Sequence, residues 1–227
     1  MVKTLDIDFE DDKILGNLHI NKNSDILIIL CHGYGDDKEQ PVLKKIAEML
    51  SKKYNVYRFT FTDRASPDLP TERDNIKVVV SNFRNKFKKI ILLGASLGGL
   101  STILSIGSVE DIDKLILINP FVYLFKKVAP NFRKVINLML ISYPFIKKSR
   151  DNINFYFKNF NPKSITIPTL FIVAENDKIV SSIHGKTLYQ QIKSPNKKIF
   201  FDDNFDHGMN LREYQEKAVN IINNWLG

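Results

Sequence analysis

Residues 90–104 read Ile90-Ile91-Leu92-Leu93-Gly94-Ala95-Ser96-Leu97-Gly98-Gly99-Leu100-Ser101-Thr102-Ile103-Leu104. The uniformly apolar start has the pattern of a strand covered on both faces, and the run after the glycines suits a helix. A chain that turns this sharply holds its central serine in a strained conformation costing on the order of 1–3 kcal/mol. Residues two positions to either side must then be small, and Gly94 and Gly98 meet that demand. The turn lifts the Ser96 hydroxyl out of the sheet to the positive N-terminal end of a helix, where developing negative charge is favoured. Ser96 is therefore the candidate nucleophile. By itself G-x-S-x-G fits an inert glycine turn equally well, so the surrounding sequence must decide.

Outward from this turn, short apolar runs recur at Ile26–Cys31, Val56–Phe61, Leu115–Ile118, Leu170–Ala174 and Ile199–Phe201, most of them separated by helix-length intervals. Helical spacing is clearest in Val42–Leu50, Ile76–Phe87 and Tyr214–Leu226. Strands alternating with helices predict an α/β fold built on a doubly wound, mostly parallel sheet with helices on both faces. Thr4–Phe9 and Ile14–Ile20 alternate around Asp11-Asp12, predicting an antiparallel N-terminal hairpin at one sheet edge.

The rhythm breaks between about residues 121 and 165, which hold ten of the chain's 25 aromatic residues together with Pro130, Pro144 and Pro162. This stretch is expected to be a small helical lid inserted into a single domain spanning 1–227. Within it, Arg133-Lys134 and Lys147-Lys148 bracket Val135–Ile146, a run suited to an apolar helix ended by proline.

Composition narrows the remaining classes. A chain of 227 residues, 44% hydrophobic, suffices for one large core. The single cysteine, Cys31, excludes an internal disulfide framework. The N-terminus lacks the apolar core of a signal peptide, so the expected location is cytoplasmic. No apolar stretch approaches the roughly 20 residues that cross a bilayer. The net charge of +8 raises the question of nucleic acid, but its distribution answers it. Residues 121–165 carry nine Lys and Arg against one acid, leaving 24 of the 33 basic residues balanced by 24 of the 25 acids elsewhere. A nucleic-acid partner is not expected.

The strand–turn–helix around Ser96, taken with this alternation, resembles the α/β-hydrolase superfamily over nearly the whole chain. After Ile26–Cys31 comes His32-Gly33-Tyr34-Gly35, which resembles the family's H-G-x-G loop. The resemblance implies an oxyanion hole made by the backbone N–H groups of Tyr34 and Leu97, with His32 tethering the loop. One departure is Thr60-Phe61-Thr62-Asp63-Arg64-Ala65-Ser66-Pro67, where relatives often carry a glycine-rich F-D-x-R-G-x-G-x-S loop.

A serine hydroxyl needs a base, usually a neutral imidazole. Of His19, His32, His184 and His207, His207 alone follows the last strand, where the resemblance places the base. The orienting acid belongs after the penultimate strand, and Glu175-Asn176-Asp177-Lys178-Ile179-Val180 resembles the family's G-x-x-D-x-x-V loop, with Ala174 in the glycine position. Asp177 is the expected acid, with Asp202, Asp203 and Asp206 as alternatives. The order Ser96, Asp177, His207 is that of the superfamily.

The resemblance implies a serine hydrolase of the carboxylesterase type, similar to cinnamoyl and feruloyl esterases, working without metal or organic cofactor. The expected partner is a small-molecule ester with an apolar acyl or aromatic group. Peripheral membrane contact through the basic lid, oligomeric state, and thioester, acylglycerol or peptide substrates stay open. So does a catalytically silent binding protein on the same scaffold.

Overall fold

The computed structural model describes residues 1–63, 67–109, 112–122 and 144–227, with side chains of 144–149 outside the description. Ten strands are described: β1 (Val2–Thr4), β2 (Ile7–Phe9), β3 (Asp12–Ile14), β4 (Gly16–His19), β5 (Ile26–Cys31), β6 (Asn55–Phe59), β7 (Lys89–Ala95), β8 (Lys114–Ile118), β9 (Thr169–Ala174) and β10 (Lys197–Asp202). The described α-helices are α1 (Pro41–Leu50), α2 (Leu69–Phe83), α3 (Leu97–Ile106), α4 (Pro144–Asn159), α5 (Ile183–Gln191) and α6 (Arg212–Leu226).

Eight strands form one sheet in the order β1-β4-β6-β5-β7-β8-β9-β10. From β6 to β10 neighbours are parallel, whereas β4 is antiparallel to both β1 and β6. The predicted N-terminal hairpin resolves into two nested pairs. The outer pair, β1 with β4, completes the sheet edge, and the inner pair, β2 with β3, forms a separate two-stranded sheet. The ladder departs where the Asp6 carboxylate, in place of a backbone carbonyl, accepts the Gly16 N–H at 3.1 Å.

Alternation along the parallel strands explains why they read as unbroken apolar runs. Leu27, Ile29, Ile90, Leu92, Leu115, Leu117, Phe171 and Val173 face one core, with residues of α2, α3, α5 and Tyr156 of α4. Ile28, Leu30, Ile91, Leu93, Ile116, Ile118, Leu170 and Ile172 face the other, under α1 and α6. Each such side chain, buried on its own face, contributes about 1.5–3 kcal/mol, which is why the sheet tolerates no polar alternation here.

Two boundaries differ from the sequence expectation. Helix α2 begins at Leu69 rather than near Ile76, because Pro70 occupies its first turn, where a missing N–H costs no hydrogen bond. It ends at Phe83, and Lys86 closes a turn on the Phe83 carbonyl before Phe87. The described part of α4 runs from Pro144. The rest of the apolar run expected there, and the lid reading for 123–143, fall outside the described residues. The described part of the insertion is docked on the core. Asn152 of α4 accepts from the Leu69 N–H at 2.8 Å and donates to the Pro67 carbonyl at 2.7 Å, and the Arg73 guanidinium lies 4.9 Å from the Phe155 ring centroid.

Candidate active site

The carboxyl ends of β5, β7, β8, β9 and β10 converge, and each supplies a loop to one site. At the end of β7, Ser96 adopts φ +53° and ψ −120°, a conformation that non-glycine residues rarely hold. Three backbone bonds restrain it: the Ser96 N–H donates to the Ile118 carbonyl at 2.9 Å, and the Ser96 carbonyl accepts from Gly99 and Phe121 at 3.0 Å each. The flanking glycines are sterically required. A Cβ at Gly94 would meet the Gly98 carbonyl at 2.6 Å, and one at Gly98 would collide with the backbone carbonyls of His32 and Cys31.

His207 stands in the loop after β10. Its Nε2 lies 3.0 Å from Ser96 Oγ and its Nδ1 lies 2.6 Å from Asp177 Oδ2. With the Nδ1 proton donated to Asp177, Nε2 is free to accept from the serine hydroxyl. The Asp177 side chain is 1% exposed, so its charge requires partners. Its second oxygen accepts the N–H groups of Ile179 at 2.7 Å and Val180 at 2.8 Å, an arrangement that aims the first oxygen at His207.

The other acids considered are engaged elsewhere. Asp202 pairs with Lys217 of α6. Burial pushes the Asp202 carboxyl up, but the Lys217 ammonium and the Asn204 and Phe205 N–H groups outweigh it and hold the group below its usual range. Asp206 accepts from the Asn210 N–H and side-chain amide at 2.9 Å each, which closes the turn after His207. Asp203 offers its backbone carbonyl to the Asn176 amide at 3.2 Å.

The remaining histidines are built into the framework. His32 Nδ1 donates to the Gly33 carbonyl at 2.9 Å and Nε2 accepts the Phe61 N–H at 3.1 Å, which ties the loop after β5 to the loop after β6. His19 Nε2 accepts from Arg58 Nε at 3.1 Å, and His184 Nδ1 lies 2.8 Å from the Val122 carbonyl. Burial lowers the pKa of each, so all three favour the neutral ring.

Gly33 brings its backbone against the serine, since a Cβ there would lie 3.3 Å from Ser96 Cβ. The N–H groups of Tyr34 and of Leu97, the first residue of α3, have no acceptor among the described residues. An open cleft of about 70 Å³ lies beside Ser96 and His207, lined also by Gly33, Asp36, Leu43, Ile118 and Met209. Burial raises the Asp36 carboxyl above its usual range. No group of three or more His, Cys, Asp or Glu side chains suited to a metal ion occurs among the described residues, and none of their helices is long and apolar enough to cross a membrane.

Two supports of the site have only faint signals in the sequence. Asn119, directly after β8 and 3% exposed, donates to the His207 carbonyl at 2.9 Å and accepts the Ala174 N–H at 2.7 Å. It thereby joins the loops that carry His207 and Asp177. Its φ of +44° is one asparagine tolerates, and an Asn-Pro pair at a strand end marks such a turn. The second is Arg58 on β6, 4% exposed, which donates to the Lys38 carbonyl and lies 3.1 Å from Glu39 Oε1. Asn17 donates to the same carboxylate at 2.8 Å, so β4 and β6 together hold the far side of the loop after β5. The ammonium groups of Lys38 and Lys44 bring the Glu39 carboxyl down to about 2.

No protein-family model matches the sequence, and no curated protein aligns with it significantly. Solved structures do align. The esterase Pf2001 of Pyrococcus furiosus superposes with a TM-score of 0.72 at 22% identity, over 100% of this chain and 94% of that one. Mouse alpha/beta hydrolase domain-containing protein 10 gives 0.78 at 17% identity, over 99% and 98%. Est1E from Butyrivibrio proteoclasticus, solved with ferulic acid bound, gives 0.78 at 19% identity, over 98% and 97%. Near-complete coverage in both directions, with the same parallel sheet, leads to one conclusion: the chain adopts the α/β-hydrolase fold.

Proposed function

We propose that the protein is a serine hydrolase that cleaves carboxylic esters through an acyl-enzyme on Ser96. The observation that carries this reading is the continuous relay from Ser96 Oγ through His207 to a buried Asp177, at 3.0 and 2.6 Å. In this mechanism His207 Nε2 takes the hydroxyl proton as Oγ attacks the ester carbonyl. Collapse of the tetrahedral intermediate expels the alkoxide, which receives the proton from His207. Water, deprotonated by the same imidazole, then attacks the acyl-enzyme and releases the carboxylic acid.

The N–H groups of Tyr34 and Leu97 serve as donors to the oxyanion, each worth about 2.7–4 kcal/mol in the transition state. Asp177 keeps the Nδ1 tautomer and stabilises the imidazolium. Ester rather than amide or thioester is favoured by the kinship of fold with proteins described as esterases. The lining of the cleft by Leu43, Ile118 and Met209 suits an apolar group.

Labelling with a fluorophosphonate probe tests the assignment. Wild type is expected to become covalently modified at Ser96, whereas Ser96→Ala stays unmodified. Equal labelling of both, or of neither folded protein, refutes it. Turnover of p-nitrophenyl esters by the wild type separates an enzyme from a silent binding protein.

A further inference from the structure

The sheet ends in two unequal edges. At one, β1 is three residues long, and short edges resist pairing with other chains. At the other, β10 runs for six residues and pairs only with β9. Among the described residues nothing extends the sheet beyond it. Phe200 and Phe201 of this strand are 41% and 42% exposed, although an apolar edge of this kind is one that proteins ordinarily blunt.

The sequence across this edge is Lys197-Lys198-Ile199-Phe200-Phe201-Asp202-Asp203. It carries two cations at one end, two anions at the other and three apolar residues between. Read against itself in the opposite direction, the segment is complementary in charge. A twofold axis perpendicular to the sheet keeps each face on its own side, so a residue must oppose one of the same parity, and the axis must pass through a residue position. Centring on Ile199 would set Lys198 against Phe200, and centring on Phe201 would set Phe200 against Asp202. Centring on Phe200 sets Lys198 against Asp202, Lys197 against Asp203, Ile199 against Phe201, and Phe200 against its own counterpart.

From this we infer that β10 is a self-association edge, through which two copies of the chain pair antiparallel about an axis at Phe200 into one continuous sheet. The occupant is a second copy because a foreign strand would have no reason to match the order of charges. Lys198 is exposed and pairs with no described acid, so its ammonium is available across the axis. Lys197 already donates to the Tyr189 and Ile192 carbonyls at 2.7 and 2.8 Å, so the attraction across the axis rests mainly on Lys198, which shares the 8% exposed Asp202 carboxylate with Lys217. Both helical layers reach this edge. From α5 the Lys186 ammonium lies 4.9 Å from the Phe201 ring centroid, and from α6 Lys217 pairs with Asp202. Pairing of the strands therefore brings helices of the two copies alongside each other. Six strand residues alone fall short of the roughly 800 Å² per partner of a standard interface, so the dimer is expected to dissociate on dilution.

Sedimentation of the full chain over a range of concentrations provides the first readout, with a mass approaching twice the 26.2 kDa of one chain expected at the upper end. Lys198→Glu is expected to weaken association about tenfold, since two symmetric pairs become repulsive. Phe200→Cys tests the register directly. Residues directly opposite in an antiparallel pair have Cα atoms about 4.5–5.5 Å apart, within disulfide range. Mild oxidation should therefore cross-link this variant into a covalent dimer but leave Lys198→Cys, whose opposite residue is Asp202, largely monomeric under denaturing conditions. Native Cys31 is buried and does not compete. A wild type that remains monomeric throughout, or a dimer in which Phe200→Cys cross-links no better than Lys198→Cys, overturns the inference. Because β8 and β9 stand between β7, which ends at Ser96, and the substituted positions of β10, fluorophosphonate labelling is expected to be the same in these variants. Loss of dimerisation and loss of hydrolysis are thus separately visible.

Discussion

The side-chain amide of Asn119 donates to the main-chain carbonyl of His207 at 2.9 Å, so the position of the imidazole depends on a residue outside the Ser96–His207–Asp177 relay. The same side chain accepts the Ala174 N–H at the end of β9, three residues before Asp177. One buried amide thereby sets the distance between the two loops that must meet at Nδ1.

Replacing Asn119 with alanine is expected to lower kcat by about 10–100-fold with little change in KM, because misplacement near 1 Å costs on that order. Three side-chain hydrogen bonds are also lost, to the His207 and Asp206 carbonyls and from the Ala174 N–H, at about 1–3 kcal/mol for each buried group left unsatisfied. Steady-state kinetics on a p-nitrophenyl ester, paired with urea denaturation, separates the two effects. An unchanged kcat would exclude a positioning role.

Asp177→Asn should leave the loop in place, since Ile179 and Val180 can still donate to the remaining carbonyl oxygen. A carboxamide nitrogen facing His207 favours the wrong tautomer, and kcat is expected to fall by about 10⁴. Fluorophosphonate labelling should slow in parallel, and undiminished labelling would reject Asp177 as the orienting acid.

Gly98→Ala is expected to be destabilising by several kcal/mol or to prevent folding, because its Cβ would collide with the His32 and Cys31 carbonyls, backbone atoms that cannot swing aside. Gly107→Ala is the matched control. A Cβ there meets nothing within 4 Å, and its stability should stay close to wild type. Thermal denaturation of the pair measures the difference.

Acid should weaken the fold before the carboxylates titrate. His19, His32 and His184 have folded pKa values lowered from the ordinary 6.5, first by burial. Below that value the unfolded chain binds protons that the folded chain refuses, so stability is complete above about pH 6.5 and declines as pH falls toward the folded values. In His32 a proton on Nε2 would also end its acceptance of the Phe61 N–H. Urea midpoints at about pH 7.5 and 5.5 should differ, and His32→Gln should reduce that difference. A flat profile would contradict the neutral assignment of these rings.

Much of this molecule is legible in its sequence because the decisive signals are local. Strands covered on both faces must be apolar at every position, so Ile26–Cys31 and Leu170–Ala174 announce themselves, and the turn at Ser96 itself demands glycine at 94, where a Cβ would meet the Gly98 carbonyl. Boundaries are less legible where proline has two meanings, as at Pro70, which stands in the opening turn of α2 instead of marking a break before it.

What the tertiary structure alone decides is which distant polar groups meet. Asp177, Asp202, Asp203 and Asp206 are alike as residues near a strand end, yet among the described residues Asp177 is the carboxylate that reaches His207, while Asp202 is held by Lys217. Asn119 and Arg58 acquire their importance from partners remote in sequence, His207 lying 88 residues from Asn119 and Lys38 lying 20 from Arg58. The physical reason is one of range. Steric and hydrophobic demands act on residues a few positions apart and leave a periodic trace, whereas a hydrogen bond requires atoms within about 3 Å and leaves none.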